Sequence, residues 1–177
     1  MDALTKKLTD AFREIGYSEY KQIKTADIPF SHDVYAQCER NTCGKFGKNH
    51  ACPSAESSEN ERRDHILAYK DAFIISITVP FRTKADMESY ETELKDKHSK
   101  LRTQFADSDV KVLGVGPCTL CSACTAPENK PCRFPDQTQY SMEGCGIDVV
   151  SLSKQQQMTY NAGVGKMVFF ALVLYQE

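Results

Sequence analysis

Leu4, Leu8, Phe12 and Ile15 recur three or four positions apart with polar residues between them, which predicts an amphipathic helix over 3–15 that ends near Gly16. A polar stretch with weak strand character follows over 20–28. Ser58-x-x-Glu61 has the form of a capping box and opens a short helix through Ile66, Leu67 and Tyr69. Over 73–81 the chain is nearly all apolar and β-branched, as in a buried strand stopped at Pro80. The longest helix is expected over 84–107, with Met87, Tyr90, Leu94, Leu101 and Phe105 on one face. His98 falls on that face, where a histidine more often partners a backbone carbonyl than a metal. A second strand is expected over 110–115, and short helices over 141–145 and 153–160. The segment 167–175 has no polar alternation and is expected to be a central strand. This order predicts one metal-binding domain over 1–177 of α+β class: a small mixed β-sheet covered by helices, with cysteine-rich, cluster-binding loops at one end.

The 177-residue length suffices for a real core, and 41% hydrophobic with 26% charged residues describes an ordinary globular chain. A formal charge of −2 argues against a nucleic-acid partner. The first residues carry no apolar run and no segment reaches the length of a membrane span, so a cytoplasmic protein without membrane contact is expected. That location changes how the eight cysteines are read, because clustered thiols in a reducing compartment hold metal more often than they form disulfides.

Three of them follow one another as Cys118-x-x-Cys121-x-x-Cys124, with Cys132 and Cys145 behind; Cys38, Cys43 and Cys52 form an upstream set. A run of three closely spaced thiols suits three corners of an iron–sulfur cube, with the fourth ligand from elsewhere, whereas zinc sites use two pairs separated by a longer insert. Two [4Fe–4S] clusters need eight thiolates, and all eight cysteines are the candidate ligands. One cluster, or zinc, is the alternative. Cys132 closing the local set, with Cys145 joining the upstream set, and the reverse assignment both remain open. Arg40, Lys45, Lys48, Lys130 and Arg133 are the cations near the thiols in sequence, and His50 is a further candidate ligand or hydrogen-bond donor. Gly163-Val164-Gly165-Lys166 is read as a turn, since it lacks the first glycine and the Ser or Thr of a phosphate loop and leads into a strand.

The segments Gly116-Pro117-Cys118-Thr119-Leu120-Cys121-Ser122-Ala123-Cys124, Lys130-Pro131-Cys132-Arg133-Phe134-Pro135 and Ser141-Met142-Glu143 with Gly146-Ile147-Asp148-Val149 resemble a known family. It is the cysteine-rich predicted metal-binding proteins of anaerobic bacteria and archaea, domain of unknown function 2284. Cys38, Cys43 and Cys52-Pro53 are similar to that family's N-terminal cysteines. The resemblance implies metal binding, with iron–sulfur favoured, and carries no established reaction or substrate.

The expected function is therefore electron transfer to or from a redox partner protein through iron–sulfur clusters. A small metalloenzyme or enzyme subunit with an open iron, and a zinc-binding structural or regulatory module, are the rivals; a carrier is favoured over a catalyst. Pairing into a homodimer is left open.

Overall fold

Asp2 accepts a hydrogen bond from Thr5 N at 2.5 Å and so opens α1 (Ala3–Ile15), and Gly16 closes the helix with a left-handed φ of 89°. The computed structural model describes residues 2–53 and 57–176. The chain continues through β1 (Glu19–Lys24), α2 (His32–Gln37), α3 (Glu59–Leu67), β2 (Asp71–Pro80), α4 (Lys84–Gln104), β3 (Val110–Leu113), α5 (Val149–Gln155) and β4 (Lys166–Tyr175), with short 3-10 turns between them.

The strands form one sheet in the order β1-β2-β4-β3, and every neighbouring pair is antiparallel. The α+β class is as expected, but the mixed sheet is corrected to an antiparallel one. The cause is the position of β4. The β2–α4–β3 unit has two strands pointing the same way, and β4 lies between them, antiparallel to both.

Alternate residues of the central strands serve two cores. Phe73, Ile75, Ile77 and Val79 of β2, with Ala171 and Val173 of β4, pack with Leu8 and Phe12 of α1 and Leu94 and Leu101 of α4. Ala72 and Ile74, with Phe170, Leu172 and Leu174, pack with Ile66 of α3 and Leu152 of α5. Strands covered on both faces need no polar positions, which is why β2 and β4 are unbroken apolar runs.

Three local expectations are corrected. Asp148 accepts from Ser151 N at 3.0 Å, so α5 starts at Val149, and the segment expected to be helical beyond it turns at Gln157 with φ 54°. Over 141–145 there is only a 3-10 turn, Glu143–Cys145. α2 has no sequence signature, because none of its residues is buried. The 163–165 segment is a turn into β4, with Gly163 and Gly165 at φ 90° and 75°. Among the described residues no helix is long and apolar enough to cross a membrane.

Candidate metal centre

Backbone pairing at one point shapes the first thiol group. Gly114 N donates to Tyr140 O at 3.0 Å and Met142 N donates to Gly114 O at 3.2 Å, closing the neck of the loop 115–140. Inside it, Thr125 Oγ1 donates to Pro131 O at 2.8 Å and Arg133 Nη1 donates to Ala123 O at 2.8 Å, folding the downstream arm back on the cysteine run. Cys118, Cys121, Cys124 and Cys132 consequently line one cleft of about 320 Å³, open mouth included, together with His50, Leu120, Phe134 and Thr138. His50 is buried, with Nε2 3.1 Å from Thr125 Oγ1, and so ties the upstream cysteine segment to this cleft.

A second staple gathers the other thiols. Ser31 N donates to Gly146 O at 2.8 Å, Phe30 bridges Ile147, and Asp148 N donates to Pro29 O at 2.9 Å. The turn carrying Cys145 is thereby fixed beside α2, which delivers Cys38. Cys145 lies within electrostatic reach of Cys38, and Cys38 within reach of Cys52 and Cys43. Cys52 Sγ accepts from Asn49 Nδ2 at 3.1 Å and donates to Lys45 O at 3.3 Å. The eight cysteines thus fall into a Cys118/Cys121/Cys124/Cys132 group and a Cys38/Cys43/Cys52/Cys145 group.

Burial pushes the Cys38 and Cys52 thiols above their ordinary range, and neighbouring thiols add to the effect. Cys145, 3% exposed within the second core, is pushed up to about 12, again mainly by burial. Thiols in such surroundings ionise when a cation comes to them, as a bound metal does.

Two arginines stand at these groups. Arg62 of α3, 4% exposed, donates Nη1 to Ala51 O and Gly144 O, both at 2.8 Å, Nη2 to Cys52 O at 2.6 Å, and Nε to Ser57 Oγ at 2.8 Å. Its guanidinium lies 4.8 Å from the Tyr140 ring centroid. The phenol of half-buried Tyr140 is in electrostatic reach of Cys145 on one side and of Cys132 and Cys118 on the other, so this aromatic stands between the two groups. Arg102 of α4, half-buried, donates Nη2 to Val112 O at 2.8 Å and is in electrostatic reach of Cys118. The cations nearest the thiols in sequence are spent otherwise: Lys48 donates to Gly44 O, and Lys130 pairs with Glu128 on the surface.

The donor set fits an iron–sulfur cluster in kind and number, with four thiols to a group. Among the described residues no three His, Cys, Asp or Glu side chains converge on a single point. A mononuclear zinc site demands that convergence, with sulfurs about 3.8 Å apart around a Zn–S distance of about 2.3 Å. Ligands of a cubane each hold a different iron, so thiols spaced around a cleft suit it.

Arg62, Arg102 and Tyr140 are the site residues that sequence reasoning missed. The Ser58-x-x-Glu61 box predicted the helix that carries Arg62, but nothing in the sequence distinguishes Arg62 from its exposed neighbour Arg63. No curated protein and no solved structure matches the chain significantly. A family model matches residues 21–175, a span that contains all eight cysteines. The chain belongs to the family described as predicted metal-binding protein (DUF2284).

Proposed function

We propose that this metal-binding protein is an iron–sulfur electron carrier. One [4Fe–4S] cluster would be held by Cys118, Cys121, Cys124 and Cys132 and the other by Cys38, Cys43, Cys52 and Cys145. The observation that carries this reading is the partition of eight thiols into two groups of four with Tyr140 between them. A bound cluster of this type supplies one-electron transfer. The chain's own residues do the rest. The Gly114–Ser141 neck and the Phe30–Ile147 staple orient the thiols. Leu120 and Phe134, both exposed at the first cleft, offer apolar contact to a redox partner protein at the point where an electron would leave. An enzyme with an open iron would need a group one thiolate short, and neither group is.

Anaerobic purification followed by iron, zinc and acid-labile sulfide analysis, with a reductive titration followed by absorbance and EPR, tests the reading. A brown protein with iron and sulfide in near-equal amounts that is reversibly reduced supports it. A colourless protein loaded with zinc contradicts it and leaves the structural-module reading.

A further inference from the structure

A charge buried in a protein is stable only with a counter-charge close by. Arg62 is buried, and all of its hydrogen bonds go to neutral acceptors: three backbone carbonyls and one hydroxyl. Among the described residues it forms no ion pair; the ion pairs belong to Arg13, Lys24, His32, Lys97 and Lys130. Glu143, in the same turn as Gly144, is exposed and unpaired with it. Two of the carbonyls are those of Cys52 itself and of Gly144, the residue before Cys145. The guanidinium therefore sits inside the upstream thiol group, with the thiols of Cys38, Cys52 and Cys145 as its anionic neighbours once they ionise.

We propose that Arg62 is the built-in counter-charge of the Cys38/Cys43/Cys52/Cys145 group, a positioning residue that raises the reduction potential of the cluster held there. The inference rests on the iron–sulfur reading given above. Reduction adds a negative charge to the cluster, and a fixed cation in a site of low dielectric favours the reduced form. The planar fork of arginine also clamps the Cys52 and Gly144 backbones together, which a lysine cannot reproduce. Charge and clamp are therefore separable. Arg62→Gln keeps some donors and removes the charge, while Arg62→Lys keeps the charge and loses the fork.

The test is an EPR-monitored redox titration of anaerobically purified full-length protein, with iron and sulfide counted in each sample. Arg62→Gln should load both clusters and shift one reduction equilibrium at least tenfold towards the oxidised form, which is about 59 mV for one electron. The other potential should stay in place, and Arg62→Lys should lie within threefold of the wild type. If Arg62→Gln loses the upstream cluster, Arg62→Lys decides. A loaded lysine variant with the wild-type potential supports the charge role, and loss of that cluster from both variants overturns it in favour of a purely structural clamp. Fully loaded Arg62→Gln with unmoved potentials, or equal shifts in both variants, also overturns it. Wild-type protein without iron and sulfide would instead overturn the parent reading, a result distinguishable from any of these.

Discussion

A Cβ placed on Gly114 would lie 2.6 Å from His98 Nδ1, so the end of β3 runs directly against a buried imidazole ring. That ring also stacks on Tyr17, with centroids 6.3 Å apart and planes within 7°. Gly114 is also one side of the neck that closes the cysteine loop. Gly114→Ala should therefore force the ring or the strand aside and cost about 1–3 kcal/mol, as overpacking does. A lower thermal midpoint, with reduced metal content from the Cys118 group, is the expected result. Adding His98→Ala should recover part of the midpoint, and absence of any recovery would show that the ring is not the obstacle.

His98 also governs stability in acid. Burial, with Arg102 adding to it, holds the imidazole down to about 3, whereas an unfolded histidine titrates near 6.5. Between these values the unfolded chain binds a proton that the folded chain refuses, so this contribution is fully present above about pH 6.5 and is lost as the pH falls towards 3. Urea unfolding of His98→Leu across that window should show a shallower acid slope than the wild type. Parallel slopes would contradict the assignment.

Ser58 caps α3 on both sides of the box: its Oγ accepts from Glu61 N at 3.3 Å, and its own N donates to the Glu61 carboxylate at 2.7 Å. Ser58→Ala should cost about 1 kcal/mol in chemical denaturation. Because α3 positions Arg62, the same variant should take up metal into the upstream group more slowly, with uptake into the Cys118 group unchanged.

Thiol chemistry should follow burial. In metal-free protein at about pH 8, alkylation followed by mass spectrometry should modify exposed Cys43 early and Cys145 last, since thiolate fraction and access set the rate. Early modification of Cys145 would mean that the 141–148 segment opens in the absence of metal.

What the sequence could and could not disclose follows from how each element is stabilised. α1, β2 and β4 earn their stability from apolar burial, and burial leaves a periodic trace, so they were legible. α2 buries nothing, and α5 is fixed mainly by the Asp148 cap and Leu152, so neither leaves such a trace. The antiparallel order could not be read because insertion of β4 between β2 and β3 is a long-range choice. At the site, cysteine spacing revealed the candidate ligands. Their grouping depends on two isolated bridges, Gly114–Ser141 and Phe30–Ile147, that join residues far apart in sequence. Arg62 was hidden for the same reason: its partners Ala51, Cys52 and Gly144 come from segments on either side of α3 in the chain.

Iron and sulfide per chain in two double variants, purified anaerobically beside the wild type, probe the partition of thiols most directly. The wild type should carry about eight of each. Cys121→Ala with Cys132→Ala removes two ligands of one group and should retain about four, whereas Cys121→Ala with Cys145→Ala damages both groups and should retain almost none. The reverse pattern, or a wild type carrying zinc without sulfide, would contradict two separately closed four-thiol centres.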